Sequence, residues 1–202
     1  PARARIVRQE FHTMRLDVTA GQYLDVHEET AWPSIDESEH LVRAQRVIVF
    51  KSAKYSIEAP LVIGALVAGA SEAQLEGLRS FGLPLGVAYQ LRDDVLGVFG
   101  DPEVTGKPAG DDLREGKRTM LIAYAATTDC WDDIAPYLGD PELSEERADE
   151  LRATLQTCGA KSAAESRIAE HAALARAELA ALPYELAERL EHLVSELLER
   201  VR

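Results

Sequence analysis

Four positions, Gln90, Asp93, Asp94 and Gly97, stand at i, i+3, i+4 and i+7, the spacing that gathers side chains on one face of a helix. Leu83 and Val87 precede them on that stripe, so an apolar face runs on into an amide and two carboxylates. Neighbouring like charges repel there unless a cation or hydrogen-bond donors compensate. Carboxylate oxygens with room for water suit Mg²⁺, above all when a phosphate completes its octahedron. The competing reading is a solvated helix end. Two further polar groups interrupt inward stripes. Asp25 comes about five whole helical turns after Val7 and faces the same way, with Gln22 beside it. Lys51 falls one turn after Ile48 and precedes Ser52. An unpaired polar group costs about 1–3 kcal/mol to bury, so each marks either a site, a solvated end or a lysine that snorkels to water.

Directly after the carboxylate face the chain reads Gly100-Asp101-Pro102-Glu103-Val104-Thr105-Gly106-Lys107-Pro108-Ala109-Gly110-Asp111-Asp112-Leu113-Arg114-Glu115-Gly116-Lys117-Arg118-Thr119. Its Gly, Pro and Asp content predicts a loop from Gly97 to Gly116. Lys107, Lys117 and Arg118 are cations set among acids. Such a loop beside a carboxylate–metal face could hold a diphosphate between Mg²⁺ and ammonium groups. A charged surface loop without a ligand has the same composition.

The elements that position these groups are helical throughout, because no segment sustains a period of two. A helix is expected over Arg5–Glu28 with Val7, Phe11, Met14 and Val18 inward. A second begins after Ser38, carries Leu41, Ala44, Ile48 and Tyr55 inward, and meets Pro60. Pro60 kinks it or opens a short apolar segment that ends at Gly69. Ser71 and Gln74 form a capping-box pattern for a helix that is expected to run to about Gly97 with a kink at Pro84. Thr119–Ala126 is helical, Trp131–Pro141 connects, and Ser144 caps a helix that Gly159 ends. Ala160–Ala181 and Tyr184–Arg202 complete the chain, the last with Leu186, Leu190, Leu193, Leu197 and Val201 on one face.

At 202 residues, the chain suits one domain with a real core. Its 46% hydrophobic and 28% charged residues predict a soluble globular protein. A net charge of −13 repels phosphate backbones and argues against nucleic-acid binding. The longest apolar run, Ala59–Ala70, is too short for membrane insertion. Two cysteines, Cys130 and Cys158, make no disulfide framework and fit a reducing, cytoplasmic setting. The chain opens at Pro1 inside a helical pattern, and a preceding N-terminal portion is expected.

Five segments taken together resemble the trans-isoprenyl (polyprenyl) diphosphate synthases, in particular bacterial geranylgeranyl diphosphate synthase-like members. They are Gly21-Gln22-Tyr23-Leu24-Asp25, Lys51-Ser52-Ala53, Gly86-Val87-Ala88-Tyr89-Gln90-Leu91-Arg92-Asp93-Asp94, Thr105-Gly106-Lys107-Pro108 and Gly110-Asp111-Asp112-Leu113-Arg114-Glu115-Gly116-Lys117-Arg118-Thr119. The resemblance implies an all-α, isoprenoid synthase-type helical bundle around a central cavity. Residues 1–202 would be a single all-helical domain, the C-terminal two-thirds of a polyprenyl synthetase domain, usually in a homodimer. It implies a prenyltransferase that condenses isopentenyl diphosphate with an allylic diphosphate by Mg²⁺-assisted ionisation. By similarity Lys51 binds diphosphate, and Ser52 and Gln90 help stabilise the allylic cation. Asp93 ligates Mg²⁺ while Asp94 orients ligands or water. Lys107 and Lys117 clamp the leaving diphosphate, and Gln22 and Asp25 line the cavity.

Two departures qualify the resemblance. The second aspartate-rich motif normally ends in Asp where this chain has Gly97, which implies the loss of one carboxylate. The first aspartate-rich motif is expected upstream of Arg5. Asp111-Asp112-Leu113-Arg114-Glu115 imitates its spacing but sits in the predicted loop, and Asp132-Asp133 lacks a third acid. This chain alone is therefore expected to turn over negligibly. The alternative is a non-catalytic partner subunit of a heteromeric synthase. A terpene cyclase is a further rival, but the Lys51-Ser52 pair suits an isopentenyl diphosphate site that a cyclase does not need.

Overall fold

A computed structural model describes residues 2–106 and 110–198. Among them every regular element is helical, as expected. The α-helices are α1 (Ala2–Ala31), α2 (His40–Val47), α3 (Ala59–Ala68), α4 (Glu72–Phe99), α5 (Pro102–Thr105), α6 (Asp111–Glu115), α7 (Met120–Ala125), α8 (Trp131–Ile134), α9 (Glu145–Thr157), α10 (Ala160–Glu178) and α11 (Tyr184–Leu198). Between α2 and α3, Ile48–Glu58 is a π-helix. The chain forms two compact units. One comprises Pro1–Leu24, Arg46–Gln90 and Ile168–Arg200, the other Asp25–Gln45, Leu91–Arg167 and Val201–Arg202. No helix of the described residues is long and apolar enough to cross a membrane.

In the first unit the apolar core gathers Val62, Leu78, Phe81, Leu85, Leu182 and Val194. The π-helix lies against α1 and α4 with main chain almost touching main chain. A Cβ at Gly21 of α1 would stand 2.5 Å from the Lys51 Cα, and one at Gly86 of α4 2.6 Å from the Ala53 carbonyl oxygen. Such distances leave no room for a side chain. Ion pairs fasten the same surfaces: Lys54 meets Asp17 at 2.9 Å, and Arg79 bridges Glu10 at 2.7 Å and Glu58 at 3.5 Å. Burial pushes the Glu58 carboxyl up, and the Lys54 and Arg79 charges oppose it.

These contacts explain two differences from the expected stripes. Phe11 is exposed, because the packed face of α1 runs through Val7, Glu10, Met14, Asp17 and Gly21. Tyr55 is exposed as well, while Ala53 and Ile57 are buried. A π-helix closes i→i+5 hydrogen bonds, so the turn after Ile48 comes round later than in an α-helix. The local signals hold. Pro60 stands in the first turn of α3, and Gly69 ends it at φ 86°. Ser71 and Gln74 cap α4 reciprocally. Thr119 and Ser144 accept from Ile122 and Arg147 backbone N–H groups at the starts of α7 and α9.

In the second unit Leu91, Val95, Val98, Leu113, Leu121 and Ile134 are buried. Arg43 of α2 pairs with the buried Glu28 of α1 at 2.7 Å. The predicted loop is partly helical, because Asp101 caps α5 by accepting from the Glu103 N–H, with Pro102 in its first turn. Buried Trp32 stacks on buried His40 with ring centroids 3.7 Å apart. The Arg118 guanidinium lies 5.5 Å from the Trp32 ring centroid. Burial holds the His40 imidazole below its usual range, against the pull of Glu37 and Glu28.

Gly86→Ala should destabilise the protein by about 1–3 kcal/mol, because backbone must move. Gly64→Ala, with open space around it, should stabilise by up to about 1 kcal/mol; urea melts of both variants check the contrast. A lowered His40 pKa means that the unfolded chain binds the extra proton first, so its contribution is whole above about pH 6.5 and is lost as pH falls below that. His40→Phe should flatten the melting temperature against pH between about 6.5 and 5.

Candidate functional site

Helix α4 separates the two carboxylates that the spacing placed together. Asp93 continues the stripe of Gly86, Gln90 and Gly97 and is exposed. Asp94 lies on the stripe of Leu91 and Val98 and is buried, at 8% exposure. Gln90 is half-buried. In the first unit Lys51 and Ser52 are half-buried on the π-helix. Gly21, beside the exposed Gln22, packs on the Lys51 main chain, and Gly86, one turn before Gln90, packs on Ala53. The segments that bear Gln22, Lys51, Ser52 and Gln90 therefore meet within this unit. Asp25 is half-buried in the second unit. Lys107 lies outside the described residues.

Lys117 is the cation whose surroundings are best defined. Helix α6 ends at Gly116, whose φ of 70° is left-handed. The Gly116 N–H donates to Leu113 at 3.2 Å and the Lys117 N–H to Asp112 at 3.1 Å, which is a Schellman closure. Gly116 also packs on Gly139, where a Cβ would come within 2.8 Å of the Gly139 Cα. The turn returns the Lys117 ammonium to the Asp112 carboxylate and to Glu115 at 2.9 Å. Burial disfavours charge on Lys117, but the hydrogen bonds it donates to these two acids outweigh it and raise its pKa. Burial pushes the Asp112 carboxyl up, the Lys117 ammonium pulls it down, and the charges of Glu115 and Asp93 push it further up.

Asp112 is the residue to which sequence reasoning gave no role of its own. It is 7% exposed and lies against Gly97, where a Cβ would stand 2.5 Å from the Asp112 Cγ. Sequence spacing hides the pair, because Asp112 and Lys117 are five apart and meet only through the left-handed turn at Gly116. Among the described residues no three His, Cys, Asp or Glu side chains are grouped to hold a metal by themselves. Mg²⁺ seldom uses such a cage; it takes one or two carboxylates and completes its shell with water and phosphate. An exposed Asp93 whose charge is felt at Asp112 fits that mode of binding.

Residues 3–155 match the polyprenyl synthetase family. The chain belongs to that family. This polyprenyl synthetase chain is 35% identical over 190 residues to a geranylfarnesyl diphosphate synthase of Aeropyrum pernix, covering 93% of this chain and 58% of that one. It is 49% identical over 63 residues to a geranylgeranyl diphosphate synthase of Mycobacterium tuberculosis, 31% of this chain and 18% of that one. A solved geranylgeranyl pyrophosphate synthase of Corynebacterium glutamicum, complexed with isoprenyl diphosphate and magnesium, superposes with a TM-score of 0.90 at 36% identity. That match covers 98% of this chain and 56% of that one. The chain thus spans rather more than half the length of these two longer relatives, and it shares their helical fold.

Lys117→Met should leave the Asp112 carboxylate buried without its cation and cost about 1–3 kcal/mol near neutral pH. The Asp112 pKa then rises in the folded state, so the native form holds its proton more firmly than the unfolded chain. Urea melts should show the deficit shrinking as pH falls towards about 4, where the carboxylate of the unfolded chain also protonates.

Proposed function

We propose that this chain is the C-terminal two-thirds of one polyprenyl synthetase domain, in an enzyme that joins isopentenyl diphosphate to an allylic diphosphate. The observation that carries the reading is the likeness, over almost the whole chain, to the Corynebacterium synthase complexed with isoprenyl diphosphate and magnesium. The retained lysines, amide and exposed carboxylate support it. In the reaction the allylic C–O bond breaks and its electron pair leaves with diphosphate. The isopentenyl double bond attacks the resulting cation, and a proton is then lost.

Lys51, presented by the π-helix, binds the isopentenyl diphosphate. The Ser52 hydroxyl and the Gln90 amide oxygen lend negative potential to the developing allylic cation. Lys117 and Lys107 hold the departing diphosphate, and Gln22 and Asp25 line the cavity. Asp93 would ligate Mg²⁺, with Asp94 orienting its ligands or water. Magnesium, when bound, supplies positive charge that stabilises the leaving diphosphate. Apolar helix faces keep water from the cation. The enzyme acts in the cytoplasm as a homodimer, and residues 1–202 alone turn over negligibly.

Incubating the full-length protein with labelled isopentenyl diphosphate and dimethylallyl, geranyl or farnesyl diphosphate should give elongated prenyl diphosphates that require Mg²⁺. Asp93→Ala should lower turnover by about 10²-fold or more with an unchanged helical circular dichroism spectrum, since Asp93 is exposed. Undiminished turnover by that variant would refute the metal role, and no product from any allylic substrate would refute the activity.

A further inference from the structure

The carboxylate of Asp112 stands in the space that a side chain at residue 97 would enter, with a hypothetical Cβ 2.5 Å from its Cγ and 3.0 Å from its Oδ1. The same carboxylate receives the Lys117 ammonium, whose other acid is Glu115 at 2.9 Å. Asp112 is 7% exposed, so its carboxylate sits in a defined place. Its backbone is fixed too, because its carbonyl accepts the Lys117 N–H and the adjacent Leu113 carbonyl accepts from Gly139 at 2.8 Å. Asp112 therefore holds Lys117 twice, by main chain and by side chain.

We propose that Gly97 and Asp112 form a steric pair in which the missing side chain at 97 seats the Asp112 carboxylate, and that Asp112 is thereby the positioning residue for Lys117. The inference rests on the reading of Lys117 as a diphosphate ligand, and it assigns to Gly97 and Asp112 a joint role in setting where that ammonium stands. Gly97 is then a requirement of this chain rather than a lost acid. An aspartate at 97 meets the Asp112 carboxylate head-on, in both volume and charge. A methyl group at 97 displaces only the end of a short side chain, so it disturbs the ion pair far more than the fold.

The test uses the full-length protein with Gly97→Ala, Gly97→Asp, Asp112→Ala, Gly97→Ala/Asp112→Ala, Gly97→Asp/Asp112→Gly and Lys117→Ala. Three readouts are taken: the melting temperature, the NMR signal of the Lys117 side-chain ammonium, and titration with inorganic pyrophosphate with and without Mg²⁺. Gly97→Ala should melt within a few degrees of the parent, lose the ion-paired Lys117 signal and bind pyrophosphate about tenfold more weakly. Gly97→Asp should bind more weakly still, and Gly97→Asp/Asp112→Gly should recover part of the loss. Because both single changes to Ala act through one carboxylate, their effects should not add in the double variant. An intact Lys117 signal in Gly97→Ala, or fully additive effects, overturns the steric pair. A lost signal with unchanged pyrophosphate affinity, in Gly97→Ala and Lys117→Ala alike, overturns instead the role of Lys117 on diphosphate, and with it the positioning.

Discussion

Main chain packed against main chain at Gly21 and Gly86 is the constraint from which the rest of the first unit follows. A wide π-helix gives its backbone hydrogen bonds a longer reach, and it is stable here only where neighbouring helices can approach without side chains in the way. Once Gly21 and Gly86 close on residues 51–53, the directions of Lys51 and Ser52 are set by the helix axis rather than by their own rotamers alone. The Lys54–Asp17 and Arg79–Glu10 pairs then fall where the chain must put polar groups that the close approach would otherwise strand.

The second unit solves a different problem, the placement of cations in a chain with a formal charge of −13. Arg43 is matched by Glu28, Arg114 by Glu145, and Lys117 by Asp112 and Glu115. Each pair holds its cation in a set place within that acidic background.

What the sequence disclosed follows from the range of each signal. Caps and breakers act within a few residues, so Pro60, Gly69, the Ser71–Gln74 box, Ser144 and Gly159 marked helix limits correctly. On the last helix Leu190 is buried as its stripe implied, Val194 is buried beside it without having been singled out, and Val201 lies outside the described residues. Asp101-Pro102 carried a readable helix start that the surrounding Gly and Asp content obscured. Phe11 and Tyr55 were misplaced for a longer-range reason, since both depend on which face a neighbour covers or on a change of helical pitch. Asp93 and Asp94 looked like one group by spacing, yet a single step along α4 separates an exposed acid from a buried one. Asp112 was hidden because its partners, Gly97 and Lys117, are brought to it by tertiary packing and a left-handed turn.

The stretch Ile48–Glu58 behaves as though one surplus residue had been folded into an otherwise regular rod. Deleting a single amino acid there would let the coil tighten to ordinary pitch, leaving the helices on either side nearly in place while turning the residues within it. Lys51 and Ile57 could not then both keep their present bearings. A length change far smaller than any loop would tolerate thus becomes a rotation of the segment that carries the ammonium group, and the spacing between Lys51 and Pro60 is fixed as strictly as any side chain.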